Sequence, residues 1–294
     1  MKYRELDWLR CACGEKKPLR LEEKHVSHRV IDFRSSISFP ACRDYCGRAG
    51  KSFVEFNEGE TVDCLDCLAH EIEEGSLFCE ACGREHPIHN AVADFRAESE
   101  MDAPSHQAGL KRMEANLVRL IGRRGPKAGE VALVVGGSME KTLRRAVSSS
   151  HEVIFADDDQ RMLEELSGET VLSFPGFLYL LAATPPSLPF RKRFFDLAYI
   201  ALEGDEFEEG GPGLSKIAAL MKLLRPGGVL LAAIDLTGIP ATLVREIPGR
   251  LDYHARVRTK RQNPLTRCLA LELAPLIEET PPPSKPPKKE RGES

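Results

Sequence analysis

From residue 129 onward, two hydrophobic periods take turns along the chain. The short apolar runs VALVV at 131–135, VIFA at 153–156 and DLAYIAL at 196–202 are too continuous for half-exposed strands and predict strands covered on both faces. Between and after them, KTLRRAVSS, QRMLEELSG and LSKIAALMKLL carry helical spacing, and a Pro-Gly-Gly step at 226–228 leads into VLLAAIDL. Strand and helix in alternation predict an α/β fold, a doubly wound and mostly parallel sheet covered by helices. LDYHARVRTKR and TRCLALELA have no long helix between them and predict a closing antiparallel pair.

Upstream, HQAGLKRMEANLVRLIG places Leu110, Met113, Leu117, Leu120 and Ile121 on one helical face, which predicts an amphipathic helix ending near Gly122. Before it the long periods vanish and cysteines accumulate. The pattern divides the chain into a Cys-rich, zinc-binding region at 1–100, an α/β domain at 104–278 and a tail at 279–294. That tail is rich in Pro and Lys, cannot bury enough surface to fold, and is expected to be disordered.

With 294 residues, 42% hydrophobic, the chain holds enough apolar material for one α/β core and a smaller module. The opening MKYRELDWLR interrupts any secretory apolar run with charges. The apolar stretch from Val171 to Ala183 contains Pro175 and falls short of the ~20 residues a bilayer span needs. A soluble, cytoplasmic protein without a membrane partner is expected. The formal charge of −4 disfavours a nucleic-acid partner, whose phosphates call for a basic face.

Nine cysteines change the picture of the first region. In a reducing compartment such a count points to metal-binding thiolates rather than disulfides. Cys64 with Cys67 and Cys79 with Cys82 are C-x2-C pairs, and two such pairs complete the tetrahedron of a structural Zn²⁺ site. The eleven residues between them suit a short hairpin, and Gly83 can take the positive φ of a knuckle turn. Cys11, Cys13, Cys42 and Cys46 predict a second zinc site. A mixture of pairs, or recruitment of His25 or His28, stays open. Four thiolates leave no open position for substrate, so such zinc would fold the region rather than catalyse. Cys268, in RCLALELA, has the setting of a small core residue.

The string CEACGREHPIHNAVADF is similar to the zinc-ribbon family of small methyltransferase activators, with His86 where that family usually has Tyr. WLRCACGEKKPLRLEE is similar to that family's first knuckle, with C-x-C replacing C-x2-C. This resemblance implies a protein partner for the zinc region.

From about Pro104 to Pro275 the chain resembles the class I S-adenosylmethionine-dependent methyltransferases. Gly136, Gly137 and Ser138 follow the first strand. Asp157 ends the second, close to the ~20-residue interval at which such folds place a ribose-binding carboxylate. Met162 and Leu163, then Leu188-Pro189-Phe190, Phe195-Asp196-Leu197 and Pro226-Gly227-Gly228 follow in the family's order. The resemblance implies a Rossmann-like methyltransferase fold and S-adenosylmethionine as cofactor, held by Gly136, Gly137, Ser138, Asp157, Asp158 and Thr184. It also implies a small-molecule or protein substrate.

The departures from the family pattern are specific. Val134 replaces the usual acid, Ser138 and Glu140 stand where the second and third glycines are expected, and Thr184 replaces the acid that contacts adenine. A carboxylate at Glu140 would repel that of the cofactor by ~1 kcal/mol. Asp157, the best-preserved contact, could equally be a helix N-cap. No catalytic residue is assigned, because methyl transfer is an in-line displacement that rests on positioning. Glu203 opens an acidic loop, GDEFEEGGPG, which disfavours a polyanionic substrate. GGSMEK lacks the G-x-G-x-x-G of a dinucleotide site. Two functions remain: a methyltransferase with structural zinc, or a lapsed fold acting as a zinc-ribbon binding or scaffold module.

Overall fold

The computed structural model describes residues 1–14, 17–28, 42–60, 63–96, 117–119, 121, 129–136, 152–170, 177–183, 187–237, 239–251, 255–263 and 268–276. A 3-10 turn, Tyr3–Asp7, opens the chain. It is followed by β1 (Arg20–His28), a small hairpin of β2 (Tyr45–Cys46) and β3 (Lys51–Ser52), helix α1 (Cys64–Ala69), β4 (His70–Phe78), β5 (Glu85–His89) and β6 (Val92–Asp94). The second part runs β7 (Val131–Val135), β8 (Glu152–Asp157), α2 (Gln160–Thr170), β9 (Phe177–Ala182), β10 (Phe195–Glu203), α3 (Gly213–Leu223), β11 (Leu224–Asp235), α4 (Ala241–Leu251), β12 (Ala255–Asn263) and β13 (Cys268–Pro275).

The apolar runs become the strands their composition requires. Val131 to Val135 and Val153 to Ala156 are all buried, because both faces of this part of the sheet are covered. One sheet of eleven strands results, in the order β1-β4-β5-β6-β9-β8-β7-β10-β11-β13-β12. From β6 to β11 every neighbour pairs in parallel, and β13 runs antiparallel to both β11 and β12. The mostly parallel α/β class and the closing antiparallel pair are therefore present. Among the described residues of the expected helix near 106–122, Leu117 and Ile121 are buried against the sheet. KTLRRAVSS and the tail lie outside the described residues.

The Pro-Gly-Gly step is a bulge. Phe195 pairs with Leu224 and Leu197 with Val229, so five residues of β11 oppose two of β10. A Cβ on Gly228 would come within 2.9 Å of the Arg225 carbonyl.

The Cys-rich region is continuous with this sheet. β6 pairs in parallel with β9, Ala93 opposite Leu181 and Asp94 opposite Ala182. The N-terminal segment also covers one face: Leu6, Trp8 and Leu9 share a core cluster with Leu133, Ile154 and Tyr179. Trp8 lies 5.6 Å from both Tyr179 and Phe190. Leu9 bridges Phe190, and the Arg10 N–H donates to the Pro189 carbonyl at 2.8 Å. The Leu-Pro-Phe step thus serves here as a docking strip for the N-terminal segment.

A buried ion pair helps fasten the two parts. Arg4 makes a two-pronged contact with Glu152 at the start of β8, at 2.5 and 2.6 Å, and both side chains are largely buried. Arg4→Met would take the arginine's charge from the largely buried Glu152 carboxylate, which also accepts the Tyr179 hydroxyl at 3.3 Å. A loss of roughly 3 kcal/mol is expected in urea unfolding. Arg4→Met/Glu152→Gln should recover part of it.

Candidate functional site

Two groups of residues could carry chemistry, and the fold assembles both from pieces distant in sequence. The first is a sulfur cluster. Cys11, Cys13, Cys79 and Cys82 bring their sulfurs within 4.8 Å of one another. The Cys11–Cys82 and Cys13–Cys79 sulfur separations are each 3.6 Å. A tetrahedron with ~2.3 Å Zn–S bonds has edges of ~3.8 Å, so the cluster could hold a zinc ion. Gly14 and Gly83, at φ +89° and +71°, turn the chain back after each pair. Their N–H groups donate to the Cys11 and Cys79 carbonyls. The Arg84 backbone N–H and the neighbouring thiols pull the Cys82 thiol down to about 7.

This pairing differs from the expected one. Cys64 and Cys67 lie on α1, not on a knuckle, and the nine residues of β4 separate them from Cys79. A strand of that length spans ~30 Å, so the two C-x2-C pairs cannot share an ion. Cys42, Cys46 and Cys67 are buried and Cys64 is half-buried. Neither histidine weighed as a ligand joins the cluster: His25 pairs with Glu73, and the His28 ring packs edge-on against His70.

His86 borders the sulfur cluster. Its ring stacks on Phe95 at 4.2 Å, and Nε2 lies 3.8 Å from Cys11 Sγ. Burial and the nearby Arg84 hold the imidazole neutral, with its pKa lowered to about 4. In the sequence His86 stands out only as a departure from a family pattern. Its contact with Cys11 needs the fold.

The second group stands at the carboxyl ends of the parallel strands, where the order reverses between β7 and β10. Such reversals leave the crevice in which open α/β sheets bind ligands. Val135 pairs with Ala156, and the N–H of Gly136, at φ +112°, donates to the Ala156 carbonyl. Gly136 and Asp157 therefore sit at neighbouring strand ends. Gly137, Ser138, Glu140 and Thr184 lie outside the described residues.

Asp157 is only 2% exposed. Its Oδ1 accepts the Asp159 N–H at 2.8 Å, while Oδ2 has no hydrogen-bond partner among the described residues. The N-cap of α2 is instead Asp159, whose carboxylate accepts the Met162 N–H at 3.1 Å. Burial, with the charges of Asp158 and Asp159 adding to it, pushes the Asp157 carboxyl up to about 8. A buried carboxylate oxygen without a donor suits a ligand that brings hydroxyls. Asp158 is exposed at the rim.

Several solved structures are similar to part of this chain. One is a methyltransferase from Aquifex aeolicus that depends on S-adenosylmethionine (18% identity, 60% of this chain and 95% of that one, TM-score 0.43). Another is the N-methyltransferase NodS from Bradyrhizobium japonicum (16% identity, 57% and 96%, TM-score 0.42). A third is a complex containing the Haloferax volcanii Trm112 methyltransferase activator (12% identity, 56% and 89%, TM-score 0.44). The likeness is one of fold. No protein-family model and no curated protein matches the sequence.

The Cys-rich region reaches this crevice through one residue that sequence reasoning missed. Arg96 follows β6 and holds Asp94 with Nε at 3.0 Å and Nη2 at 2.7 Å. It also donates from Nη1 to the Asp158 carbonyl at 2.9 Å, and it reaches the Gln160 side chain. The loop that follows Asp157 is thus tied to the Cys-rich region. An arginine two residues past an aspartate carries no sequence signal for such a contact, which exists only because β6 lies beside β9. Glu203, at the end of β10, is half-buried, and its N–H is capped by Glu206 at 3.0 Å. Among the described residues no helix is long and apolar enough to cross a membrane.

Proposed function

We propose that the chain is an S-adenosylmethionine-dependent methyltransferase whose zinc-binding region is a permanent part of the enzyme and braces the cofactor loop. The supporting observation is the unpartnered, buried Oδ2 of Asp157 beside Gly136 at the reversal of strand order. Those groups fit the cofactor: ribose hydroxyls would donate to Asp157, and Gly136 leaves its strand end without a side chain. Asp158 would line the rim, and Gly137, Ser138 and Thr184 would complete the contacts. When bound, the cofactor supplies an electrophilic methyl group. The chain's own part is to hold and orient it, since an in-line displacement rests on alignment of the reacting atoms. The acceptor is a small molecule or a protein.

Zinc at Cys11, Cys13, Cys79 and Cys82 would fix the knuckles that flank β4 and β5 and so hold β6 against β9. Arg96 would then act as a positioning residue. Arg96→Ala should weaken S-adenosylmethionine binding about tenfold, the scale of one lost charge-assisted hydrogen bond. Isothermal calorimetry checks this, with circular dichroism showing the fold retained.

A second reading, a lapsed fold serving as a zinc-ribbon scaffold, draws on the substituted first loop at Ser138 and Glu140. Calorimetry of the wild-type chain separates the two. Binding of S-adenosylmethionine or S-adenosylhomocysteine in the micromolar range supports the enzyme. No heat at millimolar ligand favours the scaffold.

A further inference from the structure

The Cys-rich region contains four more cysteines, and the fold gathers them around the opening 3-10 turn. β2, which carries Cys46, packs against that turn so tightly that a Cβ on Gly47 would lie 2.1 Å from the Tyr3 carbonyl. The carboxylate of Asp7 accepts the N–H groups of Arg43, Asp44 and Tyr45 at 2.8, 3.0 and 3.0 Å, which fixes the chain directly after Cys42. Helix α1 packs on the same turn, and Lys2 Nζ, just before it, donates to the Leu68 carbonyl at 3.3 Å. On α1, Cys64 and Cys67 stand three residues apart and therefore on one helical face.

We propose that Cys42, Cys46, Cys64 and Cys67 form a second tetrathiolate zinc site, which clamps the β2–β3 hairpin and helix α1 together over the Tyr3–Asp7 turn.

Two further observations bear on it. Cys42, Cys46 and Cys67 are 5%, 2% and 4% exposed, so removal from water already favours a neutralised or metal-bound form for each sulfur. Finally, the hairpin has two residues in each strand and leaves Val54 93% exposed, too little ladder and too little apolar contact to stand alone. No three of these sulfurs lie mutually within 4.8 Å, as those of the first cluster do. The metal would draw the hairpin and helix inward on binding. A closed four-sulfur shell makes this site structural. The nearby Arg4 guanidinium would offset part of the net double negative charge of zinc with four thiolates.

The inference is independent of cofactor binding and is tested by counting metal. Native mass spectrometry of the full chain reconstituted with excess zinc should give two ions. Cys64→Ser/Cys67→Ser should give one, as should Cys79→Ser/Cys82→Ser. One ion in the wild-type chain, or two in Cys64→Ser/Cys67→Ser, overturns the site. Should that variant fail to fold, cobalt titration of the wild-type chain decides. Sulfur-to-cobalt charge-transfer absorption growing to two equivalents supports the site, and saturation at one overturns it.

Discussion

Asp157→Asn should weaken S-adenosylmethionine binding about a hundredfold, erase its pH dependence, and yet make the protein more stable at pH 8. The carboxyl is buried and its pKa lies near 8, so at pH 7 about nine-tenths of the free protein carries it protonated. Ribose hydroxyls donate to the ionised form, so binding must first release that proton. Affinity in the wild-type chain should therefore climb up to tenfold per pH unit between 6 and 8 and level off above. Asn can accept one hydroxyl but offers no charge and no second acceptor oxygen, which removes both the slope and most of the affinity. The stability effect has the opposite sign. A carboxyl whose folded pKa exceeds its unfolded value of 3.8 favours the folded state fully below pH 4 and loses that contribution as pH rises through 8. Across that window the loss runs at about 1.4 kcal/mol for each pH unit. Asn stays neutral throughout, so the variant should melt several degrees above the wild type at pH 8.5 and by a markedly smaller margin at pH 5. Calorimetric titrations at pH 6, 7 and 8, with melting curves at pH 5 and 8.5, check both halves. Equal affinity in the two proteins at pH 8 would sink the cofactor assignment of this residue.

Placing such a group costs stability that the rest of the sheet must offset, and the contacts around it show how. Asp159 caps α2, Arg96 secures the Asp158 carbonyl, and the Ala183 N–H donates to the Asp157 carbonyl at 2.8 Å. These backbone groups around the carboxylate are committed, and Oδ2 is left over. Desolvation falls on one polar atom in an otherwise satisfied loop, and it is this atom that the proposed cofactor contact would use.

Much of the α/β part was legible because its strands are buried on both faces. Unbroken apolar runs at 131–135, 197–202 and 229–234 read as strands covered on both faces, and their alternation with helical periods points to a parallel sheet. Two elements carried weaker signals. β9 is bracketed by Pro175-Gly176 and Pro185-Pro186, but it is only six residues long and sits in an apolar stretch that begins at Val171. α4 contains Pro248, which breaks the helical pattern in sequence although the helix runs on to Leu251. The cysteine pairing was out of reach for a different reason. Spacing shows that two C-x2-C pairs could face one ion, but only the conformation of the residues between decides. HEIEEGSLF forms a nine-residue strand with Ile72 and Leu77 in the core, not the hairpin that would have folded the pairs together. Likewise the three-residue β6 has no periodicity to read, and its pairing with β9 is what joins the two parts.

Loss of the first zinc knuckle should be felt at the cofactor crevice some distance away. Cys11 and Cys13 close against Cys79 and Cys82 at the far end of β4, and β4, β5 and β6 are successive neighbours in the sheet. The knuckle of Cys79 to Gly83 sets the turn between β4 and β5, with the Cys79 N–H donating to the Arg84 carbonyl at 2.9 Å. Binding of a structural zinc contributes about 10–16 kcal/mol to folding in small domains, more than a short three-strand extension could replace. Cys79→Ser/Cys82→Ser should therefore release that ion and loosen β5 and β6, and with them the Arg96 contact to the Asp158 carbonyl. On the other face of the sheet, Ala132, Val134, Val153, Phe155, Leu197 and Tyr199 belong to a core cluster that takes only Val92 from the Cys-rich region among the described residues. The readout is hydrogen exchange: in the variant the amides of β5, and that of Phe95, which donates to Ala182 at 2.7 Å, should lose protection, while those of β7 and β10 keep it. Cofactor affinity should fall at least as far as in Arg96→Ala. Cys268→Ala, a change in the buried core of β13, should lose no zinc. Unchanged protection at Phe95 after verified zinc loss would show that the sheet junction stands without the metal, and Arg96 would then position the loop unaided.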